Sequence, residues 1–176
     1  MIMTGDRMKV IFQDVDGVLY PCFNRKALKQ DAYRVKDMLV HKDSFFADAP
    51  AMDLLAVYEG WDAKAMQRLQ FLIEDTGAKL VISSSWKIMR SLKTMQQLFA
   101  VYGLGQDVIA LTPNDRGFLK EPAIQHYLSL HHEVEQYVIL DDIDMSSTFP
   151  EHCVVCGDIF DDACLKKAIT ILNDEK

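Results

Sequence analysis

The stretch Val10-Ile11-Phe12-Gln13-Asp14-Val15-Asp16-Gly17-Val18-Leu19 decides the fold. Its first half is short, apolar, β-branched and aromatic, which predicts a buried strand over about Lys9 to Gln13. Asp14 and Asp16 then fall at the strand's C-terminal end, where ligands bind in open α/β sheets. Gly17 frees the chain to turn sharply just beyond. Two carboxylates crowded there repel each other by roughly 4 kcal/mol at about 4 Å and a surface-like dielectric. A divalent cation would relieve that repulsion. Taken alone, the same residues also fit two solvated turn aspartates.

The rest of the chain alternates strand and helix. A helix capped by Asp62 runs to about Thr76, with Ala65, Leu69 and Leu72 on one face and Gly77 at its end. A second strand covers Lys79 to Ser83. Ser91 caps the next helix, whose Leu92, Met95, Phe99 and Tyr102 keep helical spacing up to Gly103. A third strand covers about Asp107 to Leu111, and Thr112-Pro113 stops it. Pro122 suits the first turn of a helix through about Leu130. Strands at Tyr137 to Leu140 and about Cys153 to Val155 follow. A last helix begins near Asp161, with Leu165, Ala168, Ile169 and Leu172 in register. This order predicts one α/β domain, a three-layer Rossmann-like parallel sheet with helices on both faces.

Composition narrows the function. The 176 residues are 49% hydrophobic, enough for a real core. A formal charge of -7 disfavours long nucleic acid and anionic membrane as partners. No apolar run approaches membrane-spanning length, and Met1 to Lys9 lacks a signal-peptide core. Four cysteines without a disulfide-like framework predict a reducing, cytoplasmic setting. Cys153 and Cys156 form a single CxxC, and no second ligand pair stands at zinc spacing. His126, His131 and His132 are read as solvated, and the nine methionines as core filler.

Residues 21–60 are too many for a direct crossover and are read as a small insert, or cap, after the first strand. Its first half is basic, with Arg25, Lys26, Lys29, Arg34, Lys36 and Lys42 against Asp31 and Asp37. That asymmetry fits either an anionic substrate or an ordinary solvated helix face. Met52, Leu54, Leu55, Val57 and Tyr58 suggest that the second half packs onto something.

Three further groups stand at strand ends. Ser83, Ser84, Ser85, Trp86 and Lys87 follow the second strand, where hydroxyls and amides suit phosphate oxygens or a capped turn. Arg116 and Lys120 lie at the start of the Pro122 helix, where the helix dipole disfavours cations. Asp141, Asp142 and Asp144 follow the fourth strand and form a second acidic cluster.

In this order the pieces resemble the haloacid dehalogenase (HAD) superfamily phosphatases. Asp14-Val15-Asp16-Gly17-Val18-Leu19 is similar to the first family motif, Ser83 to the second, Lys120 to the third and Asp141-Asp142 to the acidic fourth. Ile82 to Lys87 and Tyr137 to Asp142 most resemble HAD domains linked to bacterial RNA-repair proteins. The resemblance implies a sheet with the first strand central and the fourth beside it. It implies Asp14 as nucleophile through an aspartyl-phosphate, and Asp16 as the acid that protonates the leaving oxygen and then activates water. It implies Mg²⁺ held by Asp14, the Asp16 carbonyl and Asp142 of the Asp141-Asp142 pair. Ser83 and Lys120 would bind phosphate oxygens, with Ser84 as alternative to Ser83 and Arg116 as partner or alternative to Lys120. Lys87 joins the substrate-binding candidates.

The function that follows is Mg²⁺-dependent hydrolysis of a phosphomonoester, with a metabolite, phosphoprotein or nucleic-acid end as substrate. Two other classes are a phosphorylated signalling receiver and a catalytically silent binding domain. A receiver places its acceptor aspartate after a later strand, and nothing acidic ends the second or third strand in the right place here. The full motif set argues against a silent domain.

Overall fold

The computed structural model describes residues 7–114 and 119–174. Five parallel strands form its sheet: β1 (Met8–Gln13), β2 (Lys79–Ile82), β3 (Val108–Leu111), β4 (Val134–Asp141) and β5 (Cys153–Val155), in spatial order β3-β2-β1-β4-β5. Six α-helices accompany them: α1 (Ala32–Lys42), α2 (Ala51–Leu55), α3 (Ala63–Thr76), α4 (Leu92–Ala100), α5 (Lys120–Leu130) and α6 (Asp162–Asn173).

The apolar run makes β1 the central strand because it can be buried on both faces. Val10, Ile11 and Phe12 are fully inaccessible, each contributing about 1.5–3 kcal/mol by burial. Alternation along the strands divides the core in two. Ile11, Leu80, Ile82, Val138 and Leu140 pack with α3, α4 and α6, through Leu69, Leu72, Phe99 and Ala168. Val10, Phe12, Val81 and Ile139 pack with Ile124 and Tyr127 of α5, and with Met145 and Phe149. Helices therefore cover both faces of the sheet.

The predicted caps Asp62 and Ser91 accept the backbone N–H groups of Ala65 and Thr94, and Asp161, where the last helix is expected to begin, accepts that of Cys164. Gly77 ends α3 in the left-handed conformation at φ 71°, which glycine adopts without steric cost. β4 starts earlier than Tyr137, at Val134, because Val134 and Gln136 pair with Met8 and Lys9 at the start of β1. Between β1 and α3 the chain folds as α1, α2, a short 3₁₀ turn at Ser44–Phe46 and a π turn at Ala56–Gly60. Leu54, Leu55 and Val57 join the core, whereas Met52 and Tyr58 stay exposed. Among the described residues, no helix is long and apolar enough to cross a membrane.

Candidate active site

The sheet's register assembles the site. Gln13 pairs with Ile82 on one side and Leu140 on the other. The next residue on each strand is Asp14, Ser83 and Asp141, so these three stand abreast at the C-terminal edge. Asp14 N donates to Leu140 O at 3.0 Å and Ser83 N to Gln13 O at 3.0 Å, which holds the row together. Strand order reverses between β1 and β4, and the cleft at such a switch point is where α/β sheets bind ligands.

Beyond Asp14 the chain turns at once. Val15 O accepts from Leu19 N at 2.8 Å and Tyr20 N at 2.9 Å. Gly17 sits at φ +74°, and a Cβ there would stand 2.6 Å from Asp142 Oδ2. Glycine is thus required both for the turn and for the close approach of Asp142.

Asp14, Asp141 and Asp142 each offer a carboxylate oxygen, all within 4.8 Å of one another. Asp14 and Asp141 are buried and Asp142 is exposed. Lys120, from the first turn of α5, donates to Asp14 Oδ2 at 2.7 Å and to both Asp141 oxygens at 2.8 and 2.9 Å. Asp141 also accepts from Ile143 N at 2.9 Å. Burial, and then the charge of Asp14, push the Asp141 carboxyl up to about 7 despite Lys120. Burial alone would lower the Lys120 ammonium, but the Asp14 and Asp141 charges outweigh it and raise it. With both carboxylates ionised, the buried pair exceeds the single ammonium by one negative charge. That excess, presented by hard oxygen donors, fits a Mg²⁺ ion.

Ser83 and Ser84 are both buried, but they differ in what they bond. Ser84 Oγ caps the turn at Ser85–Ile88 by accepting from Trp86 N. Ser83 Oγ is buried without a hydrogen-bond partner, an arrangement that native proteins seldom leave unexplained. Ser83, Ser84, Lys87, Leu119 and Lys120 line a small cavity of about 40 Å³. Lys87 is buried there, and its ammonium bonds Pro113 O and the Asn114 side chain, tying down the loop after β3. Arg116 lies outside the described residues.

Asp16 stands apart from the carboxylate group. Its Oδ1 accepts from Arg25 Nη2 at 3.0 Å and its Oδ2 from the Trp86 indole N–H at 2.9 Å. Neither partner was singled out by sequence. Arg25 is one cation among several in residues 21–60, and Trp86 is one residue of a serine-rich turn. Their meeting at Asp16 has no signature in local spacing. Asp144, the outermost acid, is exposed and caps Ser146 N.

No curated protein and no solved structure matches the chain. A family model described as the HAD domain in Swiss Army Knife RNA repair proteins matches residues 10–159. With the parallel sheet and the acidic row at its edge, that match means the chain belongs to this family of HAD domains, whose coarse chemical class is the HAD-type phosphoesterase.

Proposed function

We propose that the protein is a Mg²⁺-dependent phosphomonoester hydrolase that works through an aspartyl-phosphate on Asp14. The observation that carries this reading is the convergence of Asp14, Asp141, Asp142 and Lys120 beside the unpartnered Ser83 hydroxyl. Asp14, Asp142 and the Asp16 carbonyl would hold Mg²⁺, with Asp141 beside them. When bound, the ion supplies positive charge that offsets the carboxylates and the phosphate oxygens.

The chain's own groups do the rest. Lys120 and Ser83 bind phosphate oxygens, the first by charge and the second by its unspent hydroxyl. The Asp14 carboxylate attacks phosphorus as the ester P–O bond breaks. Asp16 gives its proton to the leaving oxygen. Asp16 then takes a proton from water as that water attacks the Asp14 phosphate, and inorganic phosphate leaves. Asp141 holds Lys120 in place through both its oxygens.

Residues 21–60 act as a cap on a single HAD-like unit. The cap is pinned rather than loose: Arg90 clasps Asp53 at 2.6 and 2.7 Å, and Gln97 donates to Phe45 O at 2.5 Å. The substrate we favour is a phosphorylated nucleic-acid end, in line with the RNA repair proteins in the family's description. Phe23, two residues before Arg25, and Met89, three after Trp86, are 88% and 86% exposed and offer apolar surface to a base.

The test is hydrolysis of 4-nitrophenyl phosphate with Mg²⁺ and with excess EDTA, in the wild type and Asp14→Asn. Turnover should need the ion and vanish in the variant. Full activity in EDTA would remove the metal role, and full activity in Asp14→Asn would remove the nucleophile. End-phosphorylated oligonucleotides, sugar phosphates and phosphopeptides then compete for rank as substrate.

A further inference from the structure

We infer that Arg25 and Trp86 form a two-sided brace that positions the Asp16 carboxylate for proton transfer, with Arg25 delivered by the insert. The inference rests on the acid-base reading of Asp16 given above. Each carboxylate oxygen takes one directional donor, Arg25 Nη2 at 3.0 Å and Trp86 Nε1 at 2.9 Å. A carboxylate accepts at about four lone-pair positions, so the brace fixes the group and still leaves room for a proton.

Both donors are themselves held. The Arg25 guanidinium lies 3.9 Å over the Tyr20 ring and its Nε donates to Pro21 O at 3.2 Å. Asp158 accepts from Cys22 N and Phe23 N at 2.5 and 3.1 Å, which anchors the start of the insert ahead of Arg25. Trp86 meets the edges of Tyr20 and Trp61, with ring centroids 6.2 and 5.7 Å away. The Arg90 guanidinium covers it at 4.6 Å, and Arg90 is clasped by Asp53 of the insert. Fold stability does not account for this. The Arg25 and Asp16 side chains are 45% and 36% exposed, and ion pairs that open add little. What the arrangement achieves is direction.

The test compares kcat/KM, which reports only steps through the first bond cleavage, for 4-nitrophenyl phosphate and for a simple alkyl phosphate. The activated leaving group needs little protonation and the alkoxide needs it fully. Positioned acid-base groups contribute about 10²–10⁴-fold, so Arg25→Met and Trp86→Phe should each lose roughly 10- to 100-fold on the alkyl ester and only a few-fold on the aryl ester. Trp86→Phe keeps most of the ring packing while removing the N–H. Arg25→Lys should recover part of the loss. In the Asp16→Asn background, Arg25→Met should cost nothing further, because the two residues act as a unit. Equal losses on both esters, or a further loss in the double variant, would overturn the brace. If Asp16→Asn itself lost activity equally on both esters, the acid-base reading would fail and the brace with it. If Asp16→Asn is selective and the brace variants are not, only the brace fails.

Discussion

Asp141 gives the sharpest check on the electrostatics of the site. Its side chain is fully buried, and its carboxyl is raised from 3.8 to about 7 by burial and by Asp14. The metal-free folded state therefore binds this proton more tightly than the unfolded chain does. Stability from this group is greatest at low pH and is lost as pH climbs from about 4 through about 7. The whole window corresponds to about 4 kcal/mol. The perturbation is Asp141→Asn, which removes the titration while keeping size and shape. Urea unfolding in EDTA, measured from pH 4 to pH 8, should show the wild type losing ground to the variant as pH rises. Mg²⁺ at pH 8 should restore the wild type and help the variant much less, because the ion replaces the missing proton as the balancing charge. At pH 5 the ion should do little, since the proton already occupies the place. Parallel curves for the two proteins, or a Mg²⁺ effect as large at pH 5 as at pH 8, would refute the reasoning.

Other substitutions separate charge from conformation. Lys120→Met leaves Asp14 and Asp141 buried without their cation and should destabilise by about 3–5 kcal/mol at pH 8, less at pH 5, as read by the same denaturant curves. Gly17→Ala must hold φ +74° and puts its Cβ in a clash 2.6 Å from Asp142 Oδ2. It should cost at least about 1–2 kcal/mol and weaken Mg²⁺ binding by displacing Asp142, measurable by titration calorimetry. Asp62→Ala removes the cap on Ala65 N and should lower stability by about 1 kcal/mol while leaving kcat/KM near wild type. It is the control that shows whether lost stability alone depresses activity.

Much of this molecule was legible in the linear chain because the signals are local. An apolar run that can lie between two layers becomes the central strand. A side-chain oxygen ahead of Ala63 or Leu92 caps a helix wherever the chain places it. Asp14, Ser83 and Asp141 were recognisable because each ends a strand, and parallel strands in register bring their ends to one edge. Three things were decided only in three dimensions. Ser83 and Ser84 are alike in sequence, and only packing shows that one hydroxyl caps a turn while the other is buried without a partner. The Asp141 proton depends on burial and on a lysine 21 residues away, neither of which local pattern encodes. The Arg25–Asp16–Trp86 contact joins residues 9 and 70 positions apart. Nothing in the spacing foretells it, because the burial of Leu54, Leu55 and Val57 in the core is a tertiary outcome that carries residues 21–60 with it.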